Sequence, residues 1–230
     1  MSKYIISLLF LFCSLSFFAQ TQAKDTVAVS KDTITHQVFK IRFGVDLGSF
    51  ILAKVQYSTN YSFFVDANVY KNYYGILEFG FEDKLTDTSL LIFNTKGNFV
   101  KLGVDYNLYD NWLDMDNDIT VGLRYGQAFY ATHLHSYTIN QPGAVFPPQP
   151  LDVDVVFNDL SASWLELVSK VQVQTFKGLY LGYSINFKYL LHHTKPNDFE
   201  TAYIPGFGKR NSYSNLGFGM QYFISYRIKF

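Results

Sequence analysis

Apolar and polar residues alternate along most of the chain with a period of two, and the alternation is clearest at the C-terminus. From Leu216 to Phe230, every second residue counted back from the end is apolar or aromatic. The residues between them are mostly polar or glycine, with Phe223 as the exception. Because successive side chains of a β-strand point to opposite faces, this pattern predicts a strand with one apolar and one polar face.

Seven further segments alternate in the same way, which predicts an all-β chain of eight strands. The predicted strands cover about residues 39–48, 61–70, 73–82, 97–108, 118–130, 159–174, 179–191 and 216–230. An even number of such strands is typical of an antiparallel up-and-down transmembrane β-barrel of the outer-membrane type, whose apolar face meets lipid. A secreted barrel of the lipocalin kind is the alternative fold, with the apolar face turned inward.

The connections between the predicted strands alternate in length, as transmembrane barrels require. The predicted periplasmic connections are 71–72, 109–117 and 176–178, and the outward ones are 49–60, 83–96, 131–158 and 192–211. Residues 131–158 contain four prolines between positions 142 and 150. Proline has no N–H to donate to the hydrogen bonds of a central strand. This segment is therefore predicted to be a large extracellular loop.

The polar faces of the predicted strands carry charges of both signs. They are Lys40, Arg42, Lys101, Arg124, Lys170, Lys188, Arg227 and Lys229 against Asp46, Asp66, Glu78, Glu82, Asp105 and Glu166. An eight-stranded barrel is only wide enough for side chains to fill, and buried charges are tolerated when they are paired. We therefore expect a plugged polar interior, with a narrow small-solute channel as the alternative.

The composition and the N-terminal segment indicate where in the cell the protein is located. The formal net charge is zero, so no electrostatic argument favours nucleic acid. Aromatic residues make up 19%, which suits the aromatic girdles of a barrel in outer-membrane lipid. Lys3 precedes an apolar run too short for a membrane helix, which predicts a signal peptide over 1–19, a polar periplasmic linker over 20–37 and the barrel over 38–230. Cys13, the only cysteine, would be lost with that signal.

Two parts of the sequence resemble known proteins. The segments 96–107, 111–117 and 121–126 resemble a family of uncharacterised, small outer-membrane barrel proteins of Bacteroidota, which implies the fold and the location but no activity. The C-terminal strand resembles the sorting signal of bacterial outer-membrane barrels, carried here by Tyr222, Tyr226, Ile228 and Phe230. This second resemblance implies that the barrel-assembly machinery is a partner during biogenesis.

Asp114, Asp116 and Asp118 begin like a calcium-binding loop. The glycine after the third acid and the acid at the twelfth position are missing, because Ile119 and Tyr125 occupy those positions. The three acids are therefore predicted to lie in a solvated periplasmic turn.

The candidates for chemistry are two histidine pairs near strand ends, His133 with His135 and His192 with His193. If the pairs met above the barrel they could bind a metal, and with Ser136 they could serve a lipid-modifying enzyme. No spacing motif singles them out, so no catalytic, cofactor-binding or metal residue is predicted. The expected protein is a non-enzymatic, porin-like barrel of the cell envelope, with an extracellular partner that the sequence does not identify.

Overall fold

The computed structural model describes residues 40–48, 58–88, 90–109, 116–138, 150–196, 200–211 and 213–229. The predicted signal peptide, the predicted linker and Phe230 lie outside these ranges. In the described part of the chain, no helix has the length and apolar character needed to cross a membrane.

Eight long strands form one closed antiparallel barrel. They are β1 (Lys40–Asp46), β2 (Ser58–Tyr70), β3 (Tyr73–Thr88), β4 (Leu91–Asn107), β5 (Asp118–Thr138), β6 (Pro150–Phe176), β7 (Leu179–His193) and, after a short hairpin, β10 (Leu216–Lys229). Each strand pairs with the next around the wall, and β10 closes the ring against β1. The hairpin of β8 (Tyr203–Ile204) and β9 (Gly208–Lys209) lies in the connection between β7 and β10. The predicted eight-stranded up-and-down barrel is confirmed.

The two faces of the wall follow the alternation in the sequence. On β10 the outward side chains are at least half exposed at Leu216, Phe218, Met220, Tyr222 and Tyr226, whereas Phe223, Ser225 and Arg227 are buried inside. On the other barrel strands the buried charged side chains likewise lie inside and most large apolar ones outside, although Phe64, Phe99 and Trp164 are also buried inside. The lipocalin-like alternative, which needs the opposite facing, is therefore wrong.

Two hairpins are taller than the sequence analysis predicts. The segments 83–96 and 131–158 are largely strand, because Asp83 pairs with Lys96 and His133 pairs with Val156. The prolines of the second segment fall within 139–149 or at Pro150, the first residue of β6, where a missing N–H costs no interior ladder bond. The prediction of a loop over all of 131–158 was wrong, because 131–138 and 150–158 are strand, while Pro142, Pro147 and Pro148 lie outside the described residues.

The β8–β9 hairpin folds into the barrel instead of lying in a polar loop. Ile204 and Phe207 are almost completely buried, in a cluster that includes Phe99 and Trp164. Gly206 has a φ of +74°, and a Cβ there would come 2.5 Å from the Phe99 ring. The turn therefore requires glycine, both for its left-handed backbone and for its close approach to that ring.

Candidate functional site

An unbroken series of ion pairs runs through the barrel interior. In order, its members are Asp116, Arg227, Asp118, Arg42, Asp66, Lys170, Asp105, Arg124, Glu78, Lys101, Glu166 and Lys188. These are six carboxylates and six cations, so their formal charges cancel, and every barrel strand contributes at least one of them. We call this series the interior network.

Asp118 is the branching point at the end of the interior network that lies near the β6–β7 turn. Its Oδ2 accepts hydrogen bonds from Arg42, from Arg227 and, at 2.6 Å, from the Gln172 amide, while its Oδ1 accepts one at 3.1 Å from Asn107. Only 2% of Asp118 is exposed. The prediction that it lies in a solvated turn was therefore wrong.

Asp116 also takes part in the interior network. Its carboxylate accepts hydrogen bonds from Arg227 at 2.5 Å and from the Tyr180 hydroxyl at 2.9 Å. The solvated-turn prediction was therefore wrong for Asp116 as well, and Asp114 lies outside the described residues. Strand parity could have found Asp118, because it shares the inward face of its strand with Arg124.

Glu78 and Asp105 join the middle of the interior network. Glu78 contacts Lys101 and Arg124, each at 3.1 Å, and also accepts hydrogen bonds from Ser62 and Gln221 at 3.0 Å. Asp105 contacts Lys170 at 2.8 Å and Arg124 at 3.2 Å. Burying a carboxylate carries a large desolvation cost, and several charged or amide partners at these distances offset that cost. The expectation that inward charges pair with each other holds for these side chains.

The opposite end of the interior network holds the β8–β9 hairpin. Lys188 donates hydrogen bonds to the carbonyl oxygens of Gly206 at 2.7 Å and of Phe207 at 3.2 Å, and lies 3.7 Å from Glu166. The indole N–H of Trp164 donates to Glu166 at 2.7 Å, and its ring packs edge-on against Phe207. The hairpin is thus connected to the network by both polar and aromatic contacts.

A second anchor holds the hairpin at the rim. The Tyr203 hydroxyl donates a hydrogen bond of 2.7 Å to Glu82, one of the predicted inward acids, and the ammonium of Lys84 lies 4.7 Å above the Tyr203 ring. Burial and the neighbouring Glu82 carboxylate raise the pKa of the Tyr203 phenol well above its ordinary value. The phenol is therefore a neutral donor at physiological pH.

The structure does not bring the two histidine pairs together. The rings of His133 and His135 lie tilted against each other on the outer face of β5, with their centroids 4.1 Å apart, and His133 also contacts the Asp154 carboxylate. Both pairs have a neighbour on β6: His133 pairs with Val156, and His192 pairs with Ser163. Val156 and Ser163 are seven residues apart, so the two histidine pairs are separated by roughly 23 Å along the strand. Ser136 faces the interior, on the opposite side of β5 from His133. Within the described ranges, no set of three or more His, Cys, Asp or Glu side chains is arranged to hold a metal ion.

The residues of the predicted sorting signal lie on the outer face where they are described. Tyr222, Tyr226 and Ile228 are 61%, 52% and 37% exposed, and Phe230 lies outside the described residues. Their outward facing is as expected, and their role in sorting stays a prediction.

The whole chain, residues 1–230, matches the model of a family described as a domain of unknown function, DUF6048. The chain belongs to this family. No curated protein sequence matches the chain significantly. The resemblance to a family of uncharacterised barrel proteins is thereby confirmed in part, while the Bacteroidota origin stays a prediction.

Several solved structures are similar to the DUF6048 chain. The N-terminal β-barrel domain of OprF from Pseudomonas aeruginosa has a TM-score of 0.43 at 7% identity, covering 83% of this chain and 97% of that one. A major outer membrane protein from Thermus thermophilus has a TM-score of 0.42 at 13% identity, covering 83% and 99%. Neisserial surface protein A has a TM-score of 0.41 at 9% identity, covering 84% and 96%.

Proposed function

We propose that the protein is an exported outer-membrane barrel with a plugged, non-conducting interior and a non-enzymatic role in the envelope or at the cell surface. The observation that carries this proposal is the division of the wall into two faces. Its outer face is apolar all round a closed ring, and its inner face buries a charge-balanced network of ion pairs. A closed ring leaves no sheet edge, and an apolar exterior with a polar interior is the arrangement that lipid requires.

The height of the apolar face supports a membrane location. On β7 the outward side chains are apolar or aromatic from Leu179 to Leu191. These twelve steps span roughly 40 Å along the strand, or roughly 30 Å across the membrane at a tilt of about 40°. Barrels carry an apolar band of about 25 Å between two aromatic girdles. Tyr73 and Tyr106 have ring centroids 4.9 Å apart. They lie where the aromatic girdle on the periplasmic side of the membrane is expected.

Two obstacles support a non-conducting interior. The interior network joins side chains across the inside of the barrel. Arg124 on β5, for example, contacts both Asp105 on β4 and Glu78 on β3. Above it, the β8–β9 hairpin fills the outer part of the barrel with Ile204 and Phe207. A solute path would require both the removal of the hairpin and the separation of buried ion pairs.

The tall hairpins support a contact role outside the membrane. β5 and β6 continue past the last β6–β7 pair, Ala162 with His193, and present Leu151, Val155 and Val156 to solvent together with Asp152. Because scattered apolar side chains are common on protein surfaces, the support for a contact role comes from the extension of this sheet beyond the wall, within reach of another macromolecule.

Location is tested by cell fractionation with heat-modifiable gel mobility. We expect the protein in the outer-membrane fraction, with a folded form that migrates differently from the boiled one. Recovery from the soluble periplasm without a mobility difference would contradict the proposal. In planar bilayers the purified protein should give no conductance, and steady single-channel steps would favour the solute-channel alternative.

Orientation is tested with single cysteines, because Cys13 is the only native one and lies in the predicted signal peptide. A membrane-impermeant maleimide should label Asp154→Cys in intact cells, because the tall hairpin faces outward. The matched control is Lys177→Cys in the turn between β6 and β7, which should react only after permeabilisation. The reverse order of labelling would overturn the proposed orientation.

The enzymatic alternative has a separate test. His133 and Ser136 face opposite sides of β5 and His192 lies far along the wall, and these positions support the proposal that the three residues have no shared catalytic role. We expect cells carrying His133→Ala or His192→Ala to keep the lipid profile of the wild type. A changed profile in either variant would favour a lipid-modifying enzyme.

A further inference from the structure

A pocket of about 680 Å³ lies at the outer rim of the barrel, beside the end of β7. Pairing between β7 and β10 ends at Tyr189 with Leu216, whereas β7 continues to His193. The pocket opens where β10 no longer accompanies β7. Its lining includes Leu191, His192, His193, Lys195, Glu200 and Arg210.

Basic side chains dominate this rim pocket. Lys195 and Arg210 carry fixed positive charges, whereas Glu200 is the one acid among the lining residues. Glu200 lies 3.6 Å from Arg210, and its side chain is 49% exposed, so water weakens this ion pair. Among the described lining residues, two fixed cations therefore accompany one partly exposed acid.

One buried donor points to a missing anion. The Arg210 side chain is only 5% exposed, yet its Nε has no hydrogen-bond partner among the described residues. Leaving a buried charged donor unsatisfied is costly, so the Arg210 guanidinium is expected to meet a ligand. The planar guanidinium suits the oxygens of a phosphoryl group, which it can bind through two parallel hydrogen bonds.

The height of the pocket identifies where such an anion would come from. Leu191, which is 50% exposed, is the last residue of the apolar band on β7, and His192 follows it directly. In an outer-membrane barrel this is the level of the lipid headgroups. We propose that the rim pocket binds a phosphoryl anion, supplied by a phosphorylated lipid headgroup or by free phosphate. The lipid source rests on the proposed membrane location, whereas phosphoryl binding itself does not.

The test uses the purified full chain in uncharged maltoside micelles, with binding measured by calorimetry. The probes are inorganic phosphate and micelles doped with phosphatidic acid, and diacylglycerol is the control lipid without the phosphate. The variants are Arg210→Gln and Lys195→Gln, and the matched control is Lys209→Gln, which removes an exposed lysine outside the pocket lining. Heat-modifiable mobility checks that each variant is folded.

We expect saturable binding of a phosphoryl probe by the wild type and by Lys209→Gln alike. Arg210→Gln should bind about tenfold more weakly or worse, which corresponds to the loss of one charge-assisted hydrogen bond. Lys195→Gln should weaken phosphoryl binding too. Because Lys195 is exposed, this variant should fold, and it serves as the test of the pocket if Arg210→Gln fails to fold. If phosphate does not displace bound phosphatidic acid, the ligand is a lipid headgroup. If inorganic phosphate binds as tightly as phosphatidic acid does, the ligand is a soluble anion.

Absence of saturable binding for both probes would overturn the proposal. So would an equal weakening by Lys209→Gln, because this would reduce the effect to general surface charge. Binding in micelles does not depend on where the protein lies in the cell. A fractionation result against the outer membrane would therefore remove only the lipid source.

Discussion

The ammonium group of Lys188 lies 2.7 Å from the carbonyl oxygen of Gly206, and this contact holds the turn of the β8–β9 hairpin inside the barrel. The same group lies 3.7 Å from Glu166, the last carboxylate of the interior network. One side chain thus joins the hairpin to the ion pairs that fill the barrel. The hairpin and the network should therefore respond together when Lys188 is changed.

Replacing Lys188 by methionine keeps the length of the side chain and removes its hydrogen bonds to the hairpin. A charge-assisted hydrogen bond is worth about 1.5 to 3 kcal/mol, so we expect the hairpin to open about ten to a hundred times more often. Hydrogen exchange of residues 203–209 should accelerate by that factor. In a Trp112→Phe background, the fluorescence of Trp164 should also shift to the red. Lys209→Met is the matched control, and equal exchange in both variants would contradict the assignment.

Replacing Asp118 by asparagine should destabilise the barrel strongly. It leaves Arg42 and Arg227 buried without their shared carboxylate, and breaking a buried ion pair in this way costs about 3 to 5 kcal/mol. Asp83→Asn is the control, because its pair with Lys96 is long, at 3.7 Å, and exposed, and should be worth less than about 1 kcal/mol. Urea unfolding of both variants measures the difference, and similar midpoints would count against the role of Asp118.

The period of two determines which side chains point inward, and it predicted the buried charges on most strands. It does not determine which of them meet. Arg124 contacts Glu78, which lies 46 residues away and two strands along the wall. Such a contact depends on strand tilt and on side-chain reach across the interior, which the alternation of a single strand does not contain.

The inserted hairpin shows a different gap between sequence and structure. Pro205 and Gly206 indicate a turn, but a turn in a long connection points outward by default. It folds inward here because Phe99 and Trp164, with the small side chains of Ala128 and Ala162, leave room for Phe207. That space exists only once the barrel has closed. Regular alternation therefore predicted which residues form the barrel wall, but it did not predict which segments pack inside the barrel.

The outer face of β10 predicts a cost that depends on membrane depth. Met220 pairs with Ile185 midway along β7, whereas Leu216 lies at the outer end of β10. Arginine on the lipid face costs about 2 to 4 kcal/mol at the bilayer midplane and about 0 to 1 kcal/mol near the interface. We therefore expect Met220→Arg to be much less stable than Leu216→Arg when both variants are folded into lipid vesicles and unfolded with urea. Equal stabilities would contradict the proposed membrane span.

The Tyr203 anchor predicts how the hold on the hairpin depends on pH. Burial and the Glu82 carboxylate raise the pKa of Tyr203 in the folded protein above the ordinary value of 10.0. The fold thus favours the neutral phenol, and its contribution is fully present below pH 10 and is lost as pH rises towards the raised pKa.

Tyr203→Phe isolates this contribution, because the other titrating groups are common to both proteins. Below about pH 9 the variant should be less stable than the wild type by about 1.5 to 3 kcal/mol, the worth of a hydrogen bond to a carboxylate. The difference should shrink as pH rises above about 10, because the phenol then ionises in the unfolded chain, while the folded protein still holds it neutral until the raised pKa is reached. Urea unfolding of both proteins at a series of pH values measures it. A difference that stays constant through this range would mean that Tyr203 holds the hairpin by packing alone.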